Sequence, residues 1–515
     1  MAILGSLLKK GLDLYKNFIS ETKDPFILQK KQLFELLNQA EFTEFGKQYK
    51  FSEIIFNKNI MSQHSLYQAF KSEIPIFTYN SIFEKWWYKN LNGEGDITWP
   101  GKVKHFALSS GTSEASTKYI PITKAMINEI KKTSVKQMLS LTDFDLPKDI
   151  FEKHILMLGG STHLQFNGTY FEGDLSGITT SKIPFWFQHF YKPGKKIAQN
   201  RDWDSKLNEI VKNASKWDVG CIVGVPAWIQ IMMERIIAHY QVNTIHDIWP
   251  NLHVFCHGGV AFEPYKKSFE KLLAKPLVYI ETYLASEGFI AFQTSPNSKA
   301  MKLVLNGGIF YEFVPFNEDN FDAEGEIKPT AETFMINEVK PDVDYAILLS
   351  TCAGAWRYLI GDVVRFTDVD KQELIIRGRT KHFLSLCGEH LTVDNMNKAI
   401  KMTCEQLNVD IKEFTVTGVP FENMFAHHWY LGSDDKIDTQ LFKNQLDENL
   451  KLINDDYKVE RICALKDVIV EVLPSHVFMD WMKSKGKVGG SHKFPRVMKN
   501  GMLADWSNFI STIKV

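Results

Sequence analysis

The sequence predicts a mixed α/β protein in two parts: a large α/β N-terminal domain over residues 1–378 and a small α+β C-terminal domain over residues 379–515. Three observations predict it. The 515 residues exceed what one hydrophobic core serves, since domains average roughly 150 residues. From about residue 100 onward, short β-rich runs alternate with longer helical patterns, as in an α/β sheet. After Ile375-Ile376-Arg377-Gly378-Arg379-Thr380, where a strand closes on a glycine flanked by charges, the spacing becomes that of a compact α+β unit.

Residues 1–95 read as helices, with Leu7, Leu8, Leu12, Leu14 and Tyr15 marking one apolar face and Leu33–Leu37 another. Strands follow at Val103–Leu108, His154–Leu158, Gly220–Val225, Val254–His257, Val278–Thr282, Phe289–Gln293, Tyr345–Ser350 and Val363–Thr367. The last part reads as helix 393–408, strand 413–419, strand 427–431, helix 439–453 and strand 467–473. Trp86, Trp87, Tyr88, Tyr170, Phe171, Phe185, Trp186 and Phe187 read as core, with some lining a small-molecule pocket.

Composition narrows the function. Sixty Lys plus Arg against sixty-one Asp plus Glu leaves a net charge of −1, so no overall field draws this chain to nucleic acid or to an anionic membrane. An anionic ligand must be held by a local site. At 44% hydrophobic and 13% aromatic residues, the chain is neither disordered nor fibrous. Six cysteines without a Cys-x-x-Cys pair read as free thiols of a reducing compartment. The apolar run near Gly220–Met233 is broken by Pro226 and Gln230 and falls short of the roughly 18 to 20 residues a spanning helix needs. The expectation is a cytoplasmic protein without a membrane partner.

Three segments carry chemistry. Ser109-Ser110-Gly111-Thr112-Ser113-Glu114-Ala115-Ser116-Thr117-Lys118 lies between two β-like runs, and its hydroxyls, glycine and lysine suit a polyphosphate cradled by backbone N–H groups. It is not a P-loop, because no Gly-Lys-Ser/Thr occurs in the chain. Tyr283-Leu284-Ala285-Ser286-Glu287-Gly288 places a carboxylate among small residues in a strand-to-strand turn, where Mg²⁺ takes one or two carboxylates together with phosphate oxygens. Tyr358-Leu359-Ile360-Gly361-Asp362-Val363 sets an aspartate at a sheet edge, able to accept hydrogen bonds from two ribose hydroxyls. A fourth segment, His257-Gly258-Gly259, follows another strand.

Together these segments resemble the acyl-acid amido synthetases of the auxin-responsive type, within the adenylate-forming superfamily, in a bacterial-like form. Ser109 to Ala115 is similar to the family's Ser-Ser-Gly-Thr-Ser-x-Gly loop, Tyr283 to Glu287 to its Tyr-x-x-Ser-Glu, and Tyr358 to Val363 to its Tyr-Arg-x-Gly-Asp-Val. His492-Lys493-Phe494-Pro495-Arg496 is similar to its Tyr-Lys-x-Pro-Arg. Two departures stand out. Ala115 replaces the loop glycine, and Leu359 stands where the family has its arginine, so that arginine's role either passes to Arg357 or is absent.

The resemblance implies an N-terminal domain that binds ATP and an acyl acid, and a C-terminal mobile lid. It implies that a carboxylic acid attacks the α-phosphorus of ATP, pyrophosphate leaves, and the acyl group passes to an amine, an amino acid by analogy. It assigns Ser109, Ser110, Gly111, Thr112 and Ser113 to the phosphates, Gly258 and Gly259 to the adenine wall, Tyr283, Ser286 and Asp362 to the nucleotide, and Glu287 to Mg²⁺. Lys493 would steady the charge that develops between carboxylate and α-phosphate, and Arg379 is a hinge candidate. A thiol acceptor giving an acyl-CoA, and a non-catalytic adenylate-binding protein, are the alternatives.

Overall fold

The computed structural model describes residues 24–56, 65–109, 118–183, 187–259, 262–322, 325–380, 383–384, 386–389, 391–485, 494–498 and 500–513. The helix expected on Leu7 to Tyr15 lies outside them. Helices do fill the described part of the first 95 residues, from Pro25–Ala40 to Tyr88–Leu91. The chain forms two compact units, one of residues 1–109 and 118–380, the other of 110–117 and 381–515.

The first unit carries fifteen strands in two sheets. They are β1 (His105–Ser109), β2 (Lys118–Ile122), β3 (His154–Leu158), β4 (Gln165–Phe166), β5 (Phe171–Gly173), β6 (Tyr191–Lys192), β7 (Val219–Gly224), β8 (Val254–Gly258) and β9 (Val278–Ala285). There follow β10 (Gly288–Phe292), β11 (Met301–Leu303), β12 (Ile309–Pro315), β13 (Asp344–Thr351), β14 (Tyr358–Asp368) and β15 (Glu373–Arg379). The smaller sheet has the order β2-β1-β5-β4, and the larger has the order β12-β13-β14-β15-β11-β10-β9-β8-β7-β3-β6.

The larger sheet has two halves of different grammar. From β9 through β8, β7 and β3 to β6 every pairing is parallel. From β9 through β10, β11, β15, β14 and β13 to β12 every pairing is antiparallel. The parallel strands read as continuous apolar runs because helices cover them, and the first four residues of β8, Val254 to His257, are all buried. Helix Lys124–Ser140 starts on Thr123, whose hydroxyl accepts from the Met126 N–H, and buries Met126, Ile127 and Ile130.

The expected strands are all present, each shifted by a few residues at most except at β9 and β14, which run longer than their apolar patterns. Trp86, Trp87 and Tyr170 are core, as expected, whereas Tyr88 and Phe171 lie 41% and 40% exposed. Phe171 is exposed because β5 is a short strand of the small sheet, its ring lying against Phe166 and His105 rather than inside. All six cysteines are free thiols. No described helix is long and apolar enough to cross a membrane.

The second unit holds the hairpin β16 (Phe383–Leu384) with β17 (Leu391–Thr392), and the sheet of β18 (Glu413–Phe421), β19 (Met424–Gly432) and β20 (Leu465–Leu473). Helices Val393–Leu407, Thr439–Ile453, Asp455–Cys463, Ser475–Ser484 and Asn500–Ile513 accompany the sheet. Trp506, Trp481, Phe478 and Phe494 form one of its aromatic cores. His427 is structural, as its sequence context suggested: it is fully buried, with Nε2 at 2.9 Å from Glu389 Oε1. Burial alone would raise that carboxyl, but the His427 bond and the backbone N–H of Cys387 hold it down at about 2.

Candidate functional site

β9 is the strand at which the large sheet changes from parallel to antiparallel, and open α/β sheets bind ligands where strand order and direction switch. Its last residues belong to the Tyr-x-x-Ser-Glu segment. Successive side chains of a strand face opposite ways, so Tyr283 and Leu284 serve different surroundings. The Tyr283 hydroxyl donates a hydrogen bond to Asp362 Oδ2. Burial, and then the Asp362 charge, push the Tyr283 phenol far above its ordinary range, so it stays a donor.

Asp362 sits on β14 directly opposite Arg379 on β15, and Arg379 Nε donates to its Oδ1 at 2.5 Å. A carboxylate has about four lone-pair positions, so these two bonds leave Asp362 with acceptor capacity. Arg379 therefore ends β15 inside the first unit as the partner of Asp362. Hairpin arithmetic contained this pairing, since Asp368 faces Glu373 across the turn and the same sum, 368 + 373 = 362 + 379, carries down to the aspartate.

Ser286 and Glu287 form the two-residue turn between β9 and β10. Glu287 is 8% exposed although it is a turn carboxylate. Burial raises its pKa, Lys118 opposes this, and Asp362 raises it further while Arg379 lowers it. Lys118 opens β2 opposite Ser109, the last residue of β1, and its ammonium lies 5.3 Å from the centre of the Tyr79 ring. Tyr358, at the start of β14, is buried, and burial followed by the charge of Glu287 raises its phenol. Two carboxylates, two cations and two phenols from five separate segments thus converge at the switch strand.

Gly258 ends β8 in register with Thr282, and a Cβ there would collide with the Thr282 carbonyl oxygen, so only glycine lets β8 and β9 close up beside Tyr283. Gly259 follows with φ +83°, a conformation suited to glycine. Ser110, Gly111, Thr112, Ser113 and Lys493 lie outside the described residues, as does Ala115.

Arg357 has a different place. It is 5% exposed, with φ 40°, and all five of its N–H donors are engaged. Nε and NH2 reach Glu312, NH1 reaches the carbonyls of Lys71 and Ile74, and NH2 also reaches Thr333. No donor remains for a nucleotide, so Arg357 does not take over the family arginine's part. Leu359 packs with Val314 and Leu348, and its N–H donates to Phe77 O. The guanidinium beside Asp362 is that of Arg379. The sequence reading missed this role and the nearness of Lys118 to Glu287, which are 169 positions apart.

On the other side of β9 lies a cavity of about 240 Å³ walled by helix Lys124–Ser140, β3, β7, β8 and Leu284 of β9. Gln137 from the helix donates to the Thr282 hydroxyl at 2.6 Å, tying this wall to the strand that bears Tyr283.

A direction switch at β9, a charge cluster at its end and an apolar cavity beside it define a two-unit adenylate-forming enzyme. The fold is shared with the solved GH3.15 acyl acid amido synthetase, at TM-score 0.57 and 15% identity over 98% of this chain and 96% of that one. It is also shared with 2-hydroxyisobutyryl-CoA ligase solved with 2-HIB-AMP and CoA, at TM-score 0.57 and 10% identity over 94% and 91%. The chain belongs to the GH3 family: the family's N-terminal, central and C-terminal domain models match residues 14–210, 302–375 and 394–502. The jasmonoyl–L-amino acid synthetase JAR6 of Nicotiana attenuata is 23% identical over 583 residues, spanning 98% of this chain and 97% of that protein. Among curated relatives the matched share of their length runs from 26% to 97%. The resemblance read from the motifs is borne out.

Proposed function

We propose that this protein is an ATP-dependent acyl-acid amido synthetase that adenylates a carboxylic acid and passes the acyl group to an amine, in particular an amino acid. The observation that carries this reading is the buried cluster of Tyr283, Asp362, Arg379, Glu287 and Lys118 at the end of β9, with an apolar cavity against the same strand. In the first step a carboxylate oxygen attacks the α-phosphorus and the bond to the β-phosphate oxygen breaks, giving acyl-adenylate and pyrophosphate. In the second the amine attacks the acyl carbon and AMP leaves. Neither step needs a covalent enzyme intermediate, so the protein's contribution is positioning and electrostatic stabilisation.

In this reading Asp362 accepts the ribose hydroxyls on its free lone pairs, held in orientation by Tyr283 and Arg379. The hydroxyls of Ser109, Ser110, Thr112 and Ser113 and the backbone of Gly111 receive the phosphates, with Lys118 at the end of that loop as a fixed cation. Gly258 and Gly259 give the adenine a flat backbone wall. Lys493 supplies charge to the acid and α-phosphate. A single carboxylate that burial drives toward its protonated form gains by meeting a divalent cation, so Glu287 with Ser286 beside it fits Mg²⁺, whose remaining ligands are phosphate oxygens and water. When bound, the ion neutralises charge on the departing pyrophosphate. Six free thiols and the lack of a described membrane-spanning helix support a cytoplasmic enzyme of small-molecule substrates.

Acid-dependent exchange of labelled pyrophosphate into ATP tests the first step, with AMP and pyrophosphate as expected products. Release of ADP and orthophosphate refutes it. Acceleration of AMP release by amino acids rather than by CoA identifies the acceptor, and the reverse result establishes the thiol-accepting alternative.

A further inference from the structure

We infer that the acid activated here is a monocarboxylic acid with an uncharged apolar body of about ten non-hydrogen atoms, and that hydroxylated or doubly charged acids are poor substrates. This deepens the amido synthetase reading and rests on it. Size comes from the cavity beside β9. A dry apolar cavity of about 150 Å³ holds benzene, with six carbons, so about 240 Å³ holds a body of about ten.

Polarity comes from the walls. Ile130, Met138, Met157, Phe187, Val223 and Leu284 supply apolar surface from six different segments. The polar residues among them have committed their side chains elsewhere. The Thr179 hydroxyl donates to Leu175 O at 2.9 Å, the Ser134 hydroxyl to Ile130 O at 2.9 Å, and the Gln137 amide to Thr282 at 2.6 Å. Cys221 and Cys256 meet at the wall from neighbouring strands, and the hydrogen bond between their thiols, with burial, keeps Cys221 neutral. Neutral thiols behave as small hydrophobes. Among the described lining residues Lys131 carries the one charge, and it sits half-buried beside the exposed Ser134 on their helix. A hydroxyl on the acid's body would thus give up its water for an apolar wall, and a second carboxylate would give up far more.

Orientation follows from β9. Leu284 faces the cavity, while Tyr283 reaches the Asp362 cluster on the strand's other side. An acid seated by its body in the cavity therefore brings its carboxylate round the strand end at the Ser286–Glu287 turn.

The test uses the intact protein and a series of straight-chain and ω-aryl acids from about four to sixteen carbons, each with its ω-hydroxy and ω-carboxy counterpart. With pyrophosphate exchange as readout, kcat/KM should rise about fourfold per methylene to a maximum near ten body atoms and fall beyond it. An ω-hydroxyl should cost about tenfold to a hundredfold, and an ω-carboxylate more. Val223→Phe should move the optimum to shorter acids, and Met157→Ala, which does not overfill the wall, to longer ones. A preference for ω-carboxy or polyhydroxylated acids, or an optimum that ignores both substitutions, overturns the inference. Exchange with no acid at all would instead sink the amido synthetase reading. Calorimetric binding of the same series would then decide the cavity's preference by itself, apolar bodies upholding it and polar ones overturning it.

Discussion

Two buried charge clusters lie five residues apart along one stretch of chain, and they differ in what they lack. Around Arg357 every donor is taken: Glu312, 1% exposed, receives Nε and NH2, two carbonyls receive NH1, and the Tyr67 hydroxyl reaches both Glu312 and Thr333. Around Asp362 a carboxylate keeps free lone pairs, and neighbouring Glu287 is held in surroundings that favour its protonated form. A complete set of internal partners makes a joint. An incomplete set, buried at a sheet's switch strand, is a place prepared for another charge. Burial and charge alone, which the two clusters share, do not separate structure from function; partner completeness does.

The largest expected effect breaks the first cluster. Glu312→Ala leaves a buried guanidinium uncompensated and should cost about 3–5 kcal/mol of stability in chemical denaturation. Exchange activity per folded molecule should stay within about twofold of the parent, and a selective loss of adenylation would move Arg357 into the site. Next comes Lys493→Ala, which should lower adenylation by about 10² to 10³. Conversion of a supplied acyl-adenylate to amide should remain within about tenfold, and an equal loss in both half-reactions would make this lysine a shared structural element.

Glu287→Gln keeps size and removes charge, so adenylation should fall by about 10² or more at ordinary Mg²⁺. Near-normal exchange would reduce Glu287 to a turn residue. The same substitution supplies the smallest and sharpest contrast. The folded-state pKa of Glu287 lies above its ordinary value, so its favourable contribution is present at acid pH and is lost as pH rises through the raised value. Glu287→Gln should then melt higher than the parent at neutral pH, with the difference vanishing below the usual carboxylate range. Opposite signs of stability change at Glu287 and Glu312 would confirm that one carboxylate serves an incoming ligand and the other the fold.

Much of this was legible in the sequence. The alternation of strands and helices, the turn carrying Glu287 and the strand carrying Asp362 follow from local pattern and stand where local pattern puts them. The exchange of roles between Arg357 and Arg379 was not legible in the same way. Both arginines flank glycine-containing strand segments, and what distinguishes them is non-local: Glu312, 45 residues before Arg357, captures one guanidinium, and the β14–β15 register delivers the other to Asp362. Lys118 and Glu287 likewise meet only because separate sheets bring them together, a juxtaposition that no spacing rule encodes.

β9 also constrains how such an enzyme can diversify. One strand carries the phenol of the nucleotide-facing cluster and, on the next residue, a wall of the acid cavity. A slip of one residue would exchange the two faces, and the tight approach of Gly258 to Thr282 holds the alignment. New acid preferences must therefore arise in movable walls, on helix Lys124–Ser140, on β3 and around Phe187, while β9 stays as the common spine. Lineages of this chain that change their acid should carry their differences there and keep β9 nearly unaltered.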